Sequence, residues 1–231
     1  LEIVNNTGAT FTTAGNYAVT LSDTTLSAAN VKSINDDSTG TIDMSAATTI
    51  SSSTVSDVLE IVNNTGATFT TAGNYAVTLS GTASVSNANT ILGDTTGAVT
   101  ATVTATGAVA TLNTNLSNAT SNDALTMVLD ATTASASELN ALDGKTSVNV
   151  DASSIQSITS SSADDVNTMV TNATAVGIDS DWGVVLSDAT LSAAEVKTIN
   201  AGTSGTIDMS AATTISSSTV SDVLEIVNNT G

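Results

Sequence analysis

The first 22 residues, LEIVNNTGATFTTAGNYAVTLS, return letter for letter at positions 59–80, and the stretch from Thr41 to Gly66 returns whole from Thr206 to Gly231. A closed core needs different side chains at each of its sites, so exact repetition argues against a compact enzyme. A stack of equivalent layers tolerates repetition, because each layer meets only its neighbours above and below. Leu1 to Gly8 also matches Leu224 to Gly231. The chain is therefore expected to be one continuous segment, 1–231, cut as a window from a longer repetitive protein.

Eight segments alternate apolar and polar residues at strand spacing: Tyr17–Ser22, Thr41–Ala46, Tyr75–Ser80, Ala98–Val103, Leu125–Asp130, Val148–Ser153, Trp182–Ser187 and Thr206–Ala211. Layers accordingly start near 17, 41, 75, 98, 125, 148, 182 and 206. Tyr17, Val19 and Leu21 share one face of the first segment, and Ile42, Met44 and Ala46 share one face of the second. Residues 17–66 map onto 182–231 at an offset of 165 with few changes, such as Asn30 to Glu195 and the turn DDST to AGTS.

Helical spacing and start signals sit between the strands. Val55, Val58, Leu59 and Val62 form an i, i+3, i+4, i+7 stripe, preceded by the capping pair Thr54 and Asp57. Ser135 with Glu138 and Ser192 with Glu195 fit a capping box, in which the Glu reaches back to the cap amide. Asn63-Asn64-Thr65-Gly66, Asn200-Ala201-Gly202 and Asp143-Gly144 are expected to end helices, with Gly or Asn in the left-handed conformation. Strand, helix, strand at about 25 residues per period implies parallel pairing through crossovers. The fold expected is a repeat solenoid with a parallel β-sheet wall and short helices on the opposite wall. The 34-residue periods carry an extra extended piece, Ala47–Ser52, and a loop after the helix. The alternative is an all-β parallel β-helix in which the LEIV segments are strands too.

Composition narrows the function. Disorder is the rival for a chain so rich in Ser, Thr, Asn and Gly, but mean hydropathy is positive, proline is absent, and apolar residues fall at regular spacing. Three lysines oppose 22 acids and arginine is absent, giving a net charge of −19. Nucleic-acid binding needs cations to displace phosphate counterions, so that class is excluded, and docking on an anionic membrane is disfavoured. No run has transmembrane length, so no membrane insertion is expected within the segment. Zero cysteine removes disulfides and thiolate metal sites.

The wording of VTLSDTTLSAANVKSIN, SASELNALDGKTSVNVDASSIQSITSSSADDVNTMV and VVLSDATLSAAEVKTINAGTSGTIDMSAATTISSS resembles the repeats of very large bacterial surface proteins. It is similar to giant repeat proteins of marine cyanobacteria, a group that includes a cell-surface protein needed for non-flagellar swimming. The resemblance spans nearly the whole chain and implies a non-catalytic filament at the cell surface or outside the cell. It supplies no binding residues.

The absence of histidine, cysteine and arginine removes the usual general base, thiolate nucleophile and guanidinium anchor. Serine nucleophiles have only Lys32, Lys145 and Lys197 as activators, and Lys32 and Lys197 occupy equivalent helix positions suited to solvated charge. The strand acids Asp43, Asp151 and Asp208 could form a glycosidase pair, but an acid recurring at equivalent places reads as a corner residue. Calcium is the stronger ligand candidate. Asp36 with Asp37, Asp164 with Asp165, and Asp179 with Asp181 cluster hard oxygen donors in turns. Neither a calcium β-roll nonapeptide nor an EF-hand loop is present. Glycosylation triplets at Asn5, Asn63, Asn115, Asn118, Asn172 and Asn228 read as helix-ending turns, and the threonines of 96–106 do not form an ice-binding array. The function expected is a structural repeat segment of an extended extracellular filament or cell-surface fibre, self-associating along or between filaments and without a cofactor. The alternative is a calcium- or glycan-dependent adhesin module.

Overall fold

Short parallel strands and short helices alternate along the computed structural model, which describes residues 11–172 and 176–228. The protein is an α/β fold with fifteen strands and eight helices among the described residues. Two compact units divide it: Leu1–Thr104 with Leu116–Leu125, and Ala105–Asn115 with Thr126–Gly231.

The first unit holds β1 (Val19–Thr20), β2 (Thr25–Leu26), α1 (Ala28–Asp37), β3 (Thr41–Asp43), β4 (Thr49–Thr54), α2 (Val55–Val62), β5 (Thr68–Thr70), β6 (Ala76–Ser84), α3 (Val85–Asp94) and β7 (Val99–Thr104). One sheet runs β1-β3-β5, with Val19 opposite Ile42 and Ile42 opposite Phe69. In the other, Leu26, Ile50, Val77 and Val99 stand opposite one another on β2, β4, β6 and β7. Because a parallel ladder in register places like residue on like residue, repetition in the sequence becomes an unbroken aliphatic row. Every member of that row is buried. Helices α1, α2 and α3 pack in succession, each presenting a buried aliphatic pair such as Val58 and Ile61 of α2. At seven to ten residues, helices of this length are marginal alone and depend on this packing.

The second unit holds α4 (Val109–Asn115), β8 (Ala124–Val128), β9 (Thr133–Ala134), α5 (Ala136–Asp143), β10 (Val150–Asp151), β11 (Ser157–Ser161), α6 (Ala163–Thr171), β12 (Gly183–Leu186), β13 (Thr190–Ser192), α7 (Ala193–Gly202), β14 (Ile207–Asp208), β15 (Thr214–Ser216) and α8 (Val220–Asn228). Its aliphatic row passes through Ala134, Ile158, Val184 and Ile207 on β9, β11, β12 and β14. Met127 stands opposite Val150 on β8 and β10, and Leu191 opposite Ile215 on β13 and β15. Helices α4 to α8 pack in chain order.

All eight expected strand segments contain a strand, most of them shorter than the alternation suggested. Seven further strands stand before the helices (β2, β4, β5, β9, β11, β13 and β15), whereas α4 follows a single strand; of the seven, only the extended piece Ala47–Ser52, which lies largely in β4, was anticipated. The LEIV segment at 59–62 is helical, which sets the all-β alternative aside. Ala46 does not share the inner face of Ile42 and Met44. The strand ends at Asp43, and a turn closed by the Ala47 amide on the Met44 carbonyl (3.0 Å) carries Ala47 inward instead.

The start signals are present as read. Thr54 accepts the Asp57 amide, and capping boxes form at Ser135 with Glu138 and Ser192 with Glu195. The stops are corrected. Only the first is left-handed, at Asn64 (φ 51°) and Gly66 (φ 86°). Gly144 caps α5 at φ −63°. Gly202 is glycine because a Cβ there would stand 2.7 Å from the Val170 side chain, so it serves helix approach rather than chain reversal.

Candidate functional site

Among the described residues one polar corner occurs three times, and the sequence reading missed it. Ser38, Thr95 and Thr203 each begin a hydroxyl-x-Gly triplet just after a helix. Their hydroxyls donate to the main-chain carbonyls of Tyr17 (2.6 Å), Tyr75 (2.5 Å) and Trp182 (2.5 Å) in the preceding layer. The same oxygens accept the amides of Gly40 (3.1 Å), Gly97 (3.0 Å) and Gly205 (2.9 Å). The middle residue adds its own amide bond backward, from Thr39 to Gly15, Thr96 to Gly73 and Ser204 to Ser180. The glycines are required by proximity: a Cβ on Gly40, Gly97 or Gly205 would lie 2.3, 2.4 or 2.3 Å from those aromatic-residue carbonyls. The signal in the sequence was an aromatic residue followed 20 or 21 positions later by Ser or Thr, then Gly two further on.

Two of the aromatic residues carry a second tie. The Tyr17 hydroxyl donates to Asp37 at 2.5 Å, and that of Tyr75 donates to Asp94. Hydrogen bonding to Asp37 pushes the Tyr17 phenol up, whereas for Tyr75 burial is the larger cause and Asp94 adds to it.

Polar contacts also run forward between layers. The first amides of α1, α5, α6 and α7 (Ala28, Ala136, Ala163 and Ala193) donate to the side chains of Ser53, Ser161, Asp188 and Ser218, each 25 residues ahead. Helix N-termini leave such amides without partners inside the helix, and here the following layer supplies one. The lysines are not simply solvated. Lys32 contacts Asp36 (2.9 Å) and reaches Glu60 on α2 (3.2 Å), while Lys197 spans Asp222 (3.4 Å) and Glu225 (3.1 Å) on α8. Asn35 is buried in α1 and holds the turn after α2, donating to Glu60 and the Thr65 carbonyl and accepting the Ala67 amide. Asp123, also buried, accepts the Val99 and Thr120 amides and the Thr120 hydroxyl.

The calcium candidates fall in different roles. Asp36 and Asp37 lie at the end of α1, where a carboxylate is disfavoured by the helix dipole, and Lys32 and Tyr17 offset that. Asp164 and Asp165 occupy the first turn of α6, with Asp165 accepting the Ser162 hydroxyl at 2.8 Å. Asp179 and Asp181 sit exposed in the turn before β12. Among the described residues no group of three or more acidic side chains is gathered closely enough to hold a metal ion. Asp43, Asp151 and Asp208 are corner residues. Each accepts the amide two positions on, from Ser45, Ser153 and Ser210, and these bonds hold their carboxyls below the usual range. For Asp151 the Ser153 hydroxyl contributes most.

Among the triplet asparagines, Asn63 and Asn172 cap α2 and α6, Asn115 ends α4, and Asn118 bonds to Asn89. Asn5 lies outside the described residues. The threonines of β7 face Thr78, Thr82 and Ser84 on β6. No described helix is long and apolar enough to cross a membrane.

Exposed apolar side chains occur at several places among the described residues, Val128 and Val185 included. On α8 and β15, Leu224, Val227 and Ile215 are exposed, and a groove of about 510 Å³ opens between α7, β14 and α8 over Val196, Ile207, Met209 and Ile226. In the first unit, Phe11 is exposed and Tyr17, Val19 and Leu21 are half-buried. No family model, characterised protein or solved structure matches the chain.

Proposed function

We infer that this chain is a structural, non-catalytic repeat segment: a solenoid of stacked strand-strand-helix layers from an extended extracellular filament or cell-surface fibre. The observation that carries the reading is the bonding between layers. Main-chain, hydroxyl and lysine contacts recur at separations of 20 to 28 residues, and the same corner is rebuilt from the same residue types. Such a device transmits load from layer to layer and gathers no reactive constellation. Self-association along or between fibres and a location at the cell surface belong to the same proposal, as does the resemblance to giant cyanobacterial surface proteins. Acids at helix starts and corners are explained by local hydrogen bonding, and no observation favours the calcium- or glycan-dependent adhesin. Electron microscopy of the concentrated protein tests the reading. Thin fibres of uniform width are expected, and round, isolated particles under all conditions would overturn it.

A further inference from the structure

Neighbouring helices are joined by two different kinds of polar contact, and both start from the same place. Counted from the first residue of each helix, the fifth place holds Lys32 in α1 and Lys197 in α7, asparagine in α3 to α6, and Leu59 and Leu224 in α2 and α8. Lys32 reaches Glu60 on α2 (3.2 Å), and Lys197 reaches Glu225 on α8 (3.1 Å). Asn113 and Asn140 instead donate their side-chain amides to the main-chain carbonyls of Glu138 on α5 (2.8 Å) and Asp165 on α6 (2.9 Å). Glu60 and Glu225 hold the sixth place of their helices, where the six other described helices carry Ser, Thr or Ala. Among the described helices, an acid at the sixth place thus occurs only behind a helix with lysine at the fifth. The two cases are near copies of one helix pair, one design used twice.

The glutamate side of the pair carries the constraint. The Glu60 side chain is only 16% exposed, and its oxygens bind Lys32 and the buried Asn35. Behind a helix with Asn or Leu at the fifth place, the same carboxylate would be covered without its cation. Leaving a covered charge uncompensated costs more than the pair itself gains. Asn35 holds the eighth place of α1 and Asn200 that of α7, whereas α5 has Asp143 there. A Glu-bearing helix behind α5 would therefore bring a second carboxylate toward the first. Space does not dictate lysine, since Leu59 holds the same place in α2. Main-chain ladders and aliphatic rows accept any layer of the right length, so near-identical layers need a further device to be stacked in order.

We propose that Lys32 and Lys197 are order-setting residues: each selects a helix with glutamate at its sixth place as the next layer, and that glutamate keeps the same helix from stacking behind a neutral one. The proposal rests on the layered reading above and adds to it the rule by which unlike layers are told apart. Charged follows charged in α1–α2 and α7–α8, and neutral follows neutral in α4–α5 and α5–α6. Matched pairs are therefore interchangeable in kind, and only mismatched ones are penalised.

Urea denaturation of the full chain tests this with Lys32→Asn, Glu60→Gln and the two combined. Gln keeps the oxygen that accepts from Asn35, and Asp36, the other partner of Lys32, is 61% exposed and tolerates its loss. Lys32→Asn is expected to lower the folded-to-unfolded ratio about 5- to 30-fold at low salt. Glu60→Gln should lower the ratio in wild type yet raise it in the Lys32→Asn chain, because neutral then follows neutral. In about 1 M salt the gap between Lys32→Asn and the double variant should shrink by screening. Should Lys32→Asn unfold, Lys32→Gln replaces it. A Glu60→Gln effect of the same sign in both backgrounds, or a Lys32→Asn chain no less stable than the double variant, would overturn the proposal. Either result in chains that still unfold cooperatively leaves the layered reading standing. That reading is sunk separately, by round, isolated wild-type particles in the electron microscope.

Discussion

The hydroxyl of Thr203 lies 2.5 Å from the carbonyl oxygen of Trp182, 21 residues back, and 2.9 Å from the amide of Gly205. It thus donates to one layer while accepting from its own. Removing it leaves a carbonyl and an amide without partners in a place where water is scarce, since Thr203 and Trp182 are both buried. Thr203→Val, which keeps shape and loses the hydroxyl, is expected to cost about 1–3 kcal/mol in urea denaturation. Thr203→Ser should cost much less, because Ser38 performs the same task against Tyr17. Equal losses for Val and Ser would show that the hydroxyl is not the part that matters.

Glycines in this chain should separate into two kinds. Gly97→Ala drives a Cβ to 2.4 Å from the Tyr75 carbonyl, so the layers must part, and a loss of about 1–3 kcal/mol is expected. Gly144 has a right-handed helical backbone, and the nearest atoms to an added Cβ are 3.6 Å away. Gly144→Ala is therefore expected to stabilise by about 0.4–1 kcal/mol through the unfolded state. Thermal melts of the two variants provide the check, and shifts of the same sign would count against the distinction.

Identical sequence in two environments offers an internal control for core burial. Ile50→Ala removes a fully covered side chain and should cost about 2–5 kcal/mol. Ile215→Ala, at the same place in the repeated segment but 39% exposed, should cost less than about half as much in dilute protein. Urea denaturation of the two variants measures both losses, and equal losses would contradict the expectation.

Much of this was legible because strand alternation and helix capping are local. Val19, Ile42 and Val184 announced their strands, and Ser135 with Glu138 announced a helix start. What escaped notice was short or depended on distant residues. β2 and β9 have only two residues each, and β13 and β15 three, too few for a period to register. Ser53, Ser161 and Ser218 look like filler in a serine-rich stretch, yet each receives a helix amide from 25 residues earlier. That role is set by stacking, and no window of neighbouring residues contains it. Gly202 was misread for a related reason, since its constraint comes from Val170 on another helix.

Acid should weaken the fold through the corner carboxylates. Hydrogen bonds from Ser45, Ser153 and Ser210 hold the Asp43, Asp151 and Asp208 carboxyls below the ordinary aspartate range. Their contribution is therefore present above the ordinary value and lost as pH falls through the lowered one. Stability is expected to drop below about pH 4, with a shallower decline in Asp151→Asn, which cannot titrate there. Melting temperature against pH for wild type and variant decides the point, and parallel curves would contradict it. The buried Tyr75 phenol acts at the other extreme. Its raised pKa makes stability complete below about pH 10 and declining above it.

The most direct test of layer-by-layer stability is removal of the last layer. Truncation after Gly205 deletes β14, β15 and α8, which pack on β12, β13 and α7 of the same unit. The shortened chain is expected to stay folded and to unfold cooperatively in urea, with an m-value reduced roughly in proportion to the surface removed. Global unfolding of residues 11–205 on that deletion would contradict the account.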